Sequence, residues 1–157
     1  MNVTIRRFQP ADAATVCEIF YRSVHEVAIS RYSAAQIDAW APKIPDAERW
    51  LQRLREYDTF VADDETGKSV GWIAMTSAGY IDMLFCLPEA TGRGVAAKLY
   101  AAVEQAAALR GLTQLTAHAS LLAQSFFERN DWTVQYLETV VRNGVAIPRA
   151  SMAKNLR

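Results

Sequence analysis

Tyr80 to Tyr100 reads YIDMLFCLPEATGRGVAAKLY, and the handover inside it from strand to glycines to helix decides the fold. Tyr80-Ile81-Asp82-Met83-Leu84-Phe85-Cys86 is apolar apart from Asp82 and has the length of a strand. After Pro88, Thr91-Gly92-Arg93-Gly94-Val95-Ala96-Ala97 leads into a long helix. That helix turns Val95, Leu99, Val103 and Ala106/Ala107 inward and Lys98, Glu104, Gln105 and Arg110 outward, and Gly111 ends it. Glycines at such a junction leave the backbone uncrowded, while the first N–H groups of the helix point outward unpaired. With the helix dipole they make an anion site suited to phosphate or pyrophosphate. The competing reading is a tight turn under a close-packed helix start, with Arg93 a surface arginine rather than a phosphate clamp.

Outward from this stretch the pattern stays regular. Thr59 to Ala62 and Val70 to Thr76 form a hairpin around the polar turn Asp63 to Lys68, and Gly79 allows the next turn. Upstream, Val3 to Phe8 is an opening strand, followed by three helices begun by Asp12, Ser33 and Asp46. Downstream, Leu115 to Ala119 is a buried-looking strand and Leu122 to Arg129 a helix. Trp132 to Arg142 and Ala146 to Lys154 flank Asn143-Gly144, a strong two-residue hairpin signal. The order β-α-α-α-β-β-β-α-β-α-β-β predicts an α/β fold, one mixed twisted sheet with helices on both faces.

The 157 residues predict a single domain over 1–157. Apolar residues at 51% and charged residues at 22% exclude a disordered chain. Lys plus Arg and Asp plus Glu number 17 each, which argues against a nucleic-acid or membrane surface built on bulk charge. Cys17 and Cys86 make no disulfide framework, and the N-terminus has no apolar signal region. A cytoplasmic protein is expected. With only 7 glycines in the chain, Gly92 and Gly94 one residue apart carry information.

Three phosphate-binding loops compete for that segment. A P-loop needs Gly-Lys-Ser/Thr, and Lys98 is followed by Leu99. A dinucleotide loop allows Gly92-x-Gly94-x-x-Ala97, yet Leu87 to Thr91 separate the strand from the glycines. The next strand also carries His118 and Ser120 rather than an acid. The third option fits best, because the stretch resembles the acetyl-CoA-binding core of the GNAT N-acetyltransferases: a strand, a Pro-Glu turn, then Gln/Arg-x-x-Gly-x-Gly/Ala opening a helix. Gly94 and Ala96 match the small positions. Ser120-x-x-Ala123-x-x-Phe126-Phe127-Glu128-Arg129-x-x-Trp132 is similar to the family's Asn-x-x-Ala-x-x-Phe-Tyr-Glu-Lys-x-Gly-Phe segment.

The resemblance implies acetyl-CoA as co-substrate, with no metal. Gly92, Arg93, Gly94, Val95, Ala96 and Ala97 would hold its pyrophosphate. Met83, Leu84, Phe85 and Cys86, on through Leu87, would present backbone groups, left unpaired by a splay between strands, to its pantetheine arm and thioester. An N–H near Phe85 polarising the thioester carbonyl is worth roughly 2.7–4 kcal/mol. Ser120, Phe126, Phe127 and Arg129 belong to the second segment. Four departures stand out. Thr91 replaces the customary Gln or Arg, Ser120 replaces Asn, and Asp131 replaces a glycine. Phe127 replaces the tyrosine that protonates the departing thiolate in many members.

Acetyl transfer to an amine needs a base, and Asp82 is the only carboxylate in its strand. Alternation would place it on one face with Tyr80, Leu84 and Cys86; its structural role would be a backbone-bonded acid. His25 is a second base or relay candidate, against a polar helix end, and Tyr32 a substitute acid, against a packed loop tyrosine. His118 lines the cleft or is a core histidine. Trp40, Trp50 and Trp72 are expected in the core, with Trp40 the one that also walls the acceptor pocket. Two rival functions remain: ping-pong transfer through Cys86 with His118 and Asp82, and a non-catalytic acetyl-CoA or nucleotide sensor. The acceptor is expected to be a small-molecule amine (or a peptide), shaped by His25 to Tyr57. Nucleic acid and membrane are not expected partners, and the C-terminal hairpin offers an edge for a homodimer.

Overall fold

The structure, a computed structural model, describes residues 1–156. Its strands are β1 (Thr4–Arg7), β2 (Asp58–Asp63), β3 (Ser69–Met75), β4 (Tyr80–Cys86), β5 (Gln114–Ser120), β6 (Thr133–Arg142) and β7 (Val145–Asn155). Its helices are α1 (Ala13–Glu26), α2 (Ala34–Trp40), α3 (Ala47–Leu54), α4 (Val95–Leu109) and α5 (Leu121–Arg129). The strands join one sheet in the order β1-β2-β3-β4-β5-β7-β6. Only β4 and β5 run parallel, as a strand-helix-strand connection requires. This is the predicted element order and the predicted mixed sheet. Phe85 of β4 meets Phe20 of α1 with ring centroids 5.0 Å apart. Its neighbour Cys86 faces Gly71 and Leu99 of α4, so helices cover both faces. Trp72, Ile73 and Leu99 are fully buried between them.

Caps explain where the short helices begin. Ser33 Oγ accepts from the Gln36 N–H at 3.1 Å while Gln36 Oε1 accepts from the Ser33 N–H at 2.9 Å, a reciprocal capping box. Asp46 accepts from the Glu48 N–H at 3.1 Å. Asp12 differs from the expectation. Its carboxylate takes the Gln9 N–H and both terminal nitrogens of Arg6, so it closes the turn before α1 instead of capping α1.

Two turns position the ends of the site. Asn143 (φ 48°) and Gly144 (φ 78°) form the left-handed pair that a tight hairpin demands. That hairpin then grips α2 and the loop before it. Asn143 Nδ2 donates to the Ala39 carbonyl at 3.0 Å, Gln36 Nε2 to Ala146 at 3.0 Å, and the Tyr32 hydroxyl to Pro148 at 2.9 Å. At the end of α5, the Trp132 N–H bonds Phe127 O and the Asp131 N–H bonds Glu128 O. This is the Schellman pattern, and Asp131 occupies its left-handed position with φ 69°. The accompanying apolar contact is Phe127 against Trp132, ring centroids 4.7 Å apart.

Candidate active site

β4 and β5 pair only at Tyr80–Thr116 and Ile81–Ala117; beyond Ile81 they diverge. A cavity of about 290 Å³ fills the space that opens along the splay. Met83, Leu84 and Phe85 line it from β4, and Ala117 to Ser120 from β5. Aromatic side chains from Phe20, Tyr32, Trp40 and Trp50 form an apolar wall, and Val140, Arg142, Ile147 and Arg149 come from the C-terminal hairpin. Trp72 is fully buried as expected, whereas Trp40 and Trp50 are only half-buried and face the cavity.

At α4 the chain passes through Gly92 (φ 75°) and Gly94 (φ 81°). A Cβ at either glycine would meet no protein atom within 4 Å, so conformation and not crowding selects glycine here. Gly94 is the N-cap and no side chain caps the helix, so the N–H groups of Val95, Ala96 and Ala97 remain as donors at the positive end of a 15-residue helix. Arg93 is exposed beside them. Thr91 turns its hydroxyl inward to the Leu87 carbonyl at 3.1 Å, away from any ligand role at the turn.

The register of β3 on β4 corrects the expected alternation. Ala74 pairs with Met83 and its neighbour Met75 with Ile81, which makes Asp82 the extra residue of a bulge. Asp82 therefore does not share a face with Cys86. Its Oδ2 accepts from Arg53 Nη2 of α3 at 2.6 Å, on the cavity side, and Arg53 lies over the Trp50 ring. Cys86 points the other way, towards α4, and burial pushes its thiol up to about 12. It does not line the cavity, and His118 is engaged elsewhere, so nothing in this geometry produces a nucleophilic thiolate.

The remaining candidates separate cleanly. Tyr32 lines the cavity; its hydroxyl accepts the Leu121 N–H at 2.8 Å, at the start of α5, besides donating to Pro148. Burial raises its pKa, so the phenol keeps its proton. His25 is not among the cavity residues: it stacks on Tyr21 and its Nε2 bonds the Ala41 carbonyl at 2.7 Å. Ser120 lines the cavity as the N-cap of α5, accepting the Ala123 N–H at 3.1 Å. Phe127 lines it too, whereas Phe126 packs on Tyr100 and Arg129 is exposed at the helix end.

His118 lies on the cavity wall with Nδ1 2.8 Å from the Tyr80 hydroxyl and Nε2 3.7 Å from Glu138. Burial raises the Tyr80 pKa, so the phenol keeps its proton in the hydrogen bond it shares with the imidazole. The sequence motifs contain none of Arg53, Arg142 and Arg149. Those arginines reach the cavity from α3 and from the hairpin, and the alternation of β6 against β7 is the one local signal that could have found the last two.

A mixed sheet that splits beside a glycine-opened, uncapped helix defines an acyltransferase fold. Residues 28–156 match the family described as acetyltransferase (GNAT) domain, and the chain belongs to that family of N-acetyltransferases. It is 40% identical over 128 residues to the uncharacterized N-acetyltransferase YafP of Escherichia coli K12, covering 82% of this chain and 79% of that protein. A GCN5-related N-acetyltransferase from Rhodopseudomonas palustris superposes with a TM-score of 0.92 at 32% identity, over 99% of this chain and 97% of that one. The PaiA N-acetyltransferase of Thermoplasma acidophilum, solved in complex with coenzyme A, shares the fold with a TM-score of 0.79 at 18% identity, over 99% of both chains.

Proposed function

We propose that the protein moves an acetyl group from acetyl-CoA to a primary amine of a small molecule or peptide by direct attack on the thioester. The splay of β4 from β5 after Ile81 carries this reading, because it turns unpaired backbone of β4 onto the cavity. The uncapped start of α4 fits a pyrophosphate, and the fold is shared with a protein solved with coenzyme A. Bound acetyl-CoA supplies the acetyl group as an activated thioester with a thiolate leaving group.

The protein's own residues do the rest. Asp82, held by Arg53 through one oxygen, turns its other oxygen to the acceptor as base, directly or through a water. Tyr32 stands on the cavity wall beside the start of α5 and is the substitute for the hydroxyl that Phe127 lacks, its proton leaving the Pro148 carbonyl for the thiolate. His25, fixed on Ala41, has no part in this scheme. Calorimetry with acetyl-CoA, followed by free-thiol release against a panel of amines, tests the reading. Binding and amine-dependent release are expected; binding without release from any amine would leave a sensor, and acetylated protein formed without acceptor would point back to Cys86.

A further inference from the structure

The cavity carries a charge imbalance that acetyl transfer alone does not use. Arg53, Arg142 and Arg149 line it against a single lining carboxylate, Asp82. Two of these cations are answered: Arg53 by Asp82 at 2.6 Å, and Arg149 by Glu138 at 2.5 Å. The side chain of Arg142, exposed at the end of the hairpin, makes no hydrogen bond or ion pair among the described residues. It ends β6 opposite Val145, next to the turn whose Asn143 is tied to Ala39. Alternation puts it on the same face as Val140 and Ile147, which also line the cavity. The site thus combines an aromatic and aliphatic wall with one unanswered guanidinium. That group is a planar fork matched to a carboxylate. The phosphate end of acetyl-CoA does not use it, because the α4 residues assigned to that end do not line the cavity.

Resting on the reading of this cavity as the acceptor site, we propose that the acceptor is an amine that also bears a carboxylate, of the class of α-amino acids with apolar side chains. Arg142 is the residue that selects it. Thiol release is followed with L-phenylalanine, its methyl ester and 2-phenylethylamine, and with the matching leucine set. The acids are expected to show a KM lower by about tenfold or more, the usual strength of a charge-assisted contact, with kcat little changed. Arg142→Gln collapses the ratio and Arg142→Lys restores part of it. A second arm needs no turnover: N-acetyl-L-phenylalanine and N-acetyl-L-leucine are titrated calorimetrically into coenzyme A-saturated protein beside their neutral amides. Tighter binding of the acids, lost in Arg142→Gln, supports the proposal even if neither amine set is acetylated. Equal or absent binding overturns it, as does a preference that survives Arg142→Gln. Turnover of the neutral amines alone removes this proposal and leaves acetyl transfer standing.

Discussion

Asp82 is set on the cavity wall by a bulge and by one guanidinium, which makes its geometry dependent on two elements, β3 and Arg53. Replacing it by Asn keeps the size and an acceptor oxygen but removes the proposed base. Asp82→Asn is expected to lower kcat/KM by about tenfold or more with acetyl-CoA affinity within a few-fold, read from steady-state thiol release and calorimetry. If Asp82→Asn is silent and Tyr32→Phe abolishes turnover, the base assignment is wrong. Asp131 offers a test of stability at the same scale. An L-residue held at φ 69° is strained, Asp less than most, and glycine not at all. Asp131→Gly should raise the melting temperature by about 1–3 °C and Asp131→Val should lower it. A Val variant melting above the wild type would show that the turn is not the source of strain.

At the scale of elements, α4 is organised by its first residue. Gly94→Val forces a branched side chain into φ 81°, and the local remedy is to rearrange the turn that aims the Val95 to Ala97 N–H groups. Acetyl-CoA binding should weaken by about tenfold or more, the loss of one or two charge-assisted bonds. Pantetheine, which lacks the pyrophosphate, should bind both proteins alike in the same calorimetric series. Equal weakening for both ligands would place the phosphates elsewhere. The order of elements was readable because each boundary has a local cause: Ser33 with Gln36 at α2, Gly94 at α4, Asn143-Gly144 between β6 and β7. The turn that opens α4 at Gly92 and Gly94 was readable for the same reason, being a contiguous stretch of chain. The bulge at Asp82 was not, because it exists only in the register of β4 against β3. Nor was Arg53 on the cavity wall: chain folding, and no periodicity, brings α3 to the same cavity as β4 and the C-terminal hairpin.

For the whole molecule, the N-terminal strand and the end of α4 are locked by Asp58, a carboxylate only 5% exposed between Arg110 at 2.6 Å and Arg7 at 3.1 Å. Burial alone would push this carboxyl up; the two guanidinium groups outweigh it and hold its pKa below the ordinary value. Glu104, desolvated but bonded by Lys154 and Tyr100, is likewise lowered. A carboxyl whose pKa falls on folding contributes stability that is complete above its unfolded value, about 4, and is lost as the pH drops through the folded one. The melting temperature should therefore hold from pH 7 to about pH 5 and decline below about pH 4. Asp58→Asn should melt lower at pH 7 and decline less steeply in acid; an unchanged acid slope would remove Asp58 from this account. The grip of the last hairpin on α2 also sets a timetable. Tyr32, Gln36 and Ala39 find their partners at Pro148, Ala146 and Asn143, more than a hundred residues later in the chain. On the ribosome the cavity stays open until the last hairpin emerges: until then β5 has no β7 to pair with, and Ala150 and Met152 are missing from the core. The cavity is complete only with β6 and β7, so a nascent chain stopped short of them lacks both its closing wall and the strand that seals the far side of β5.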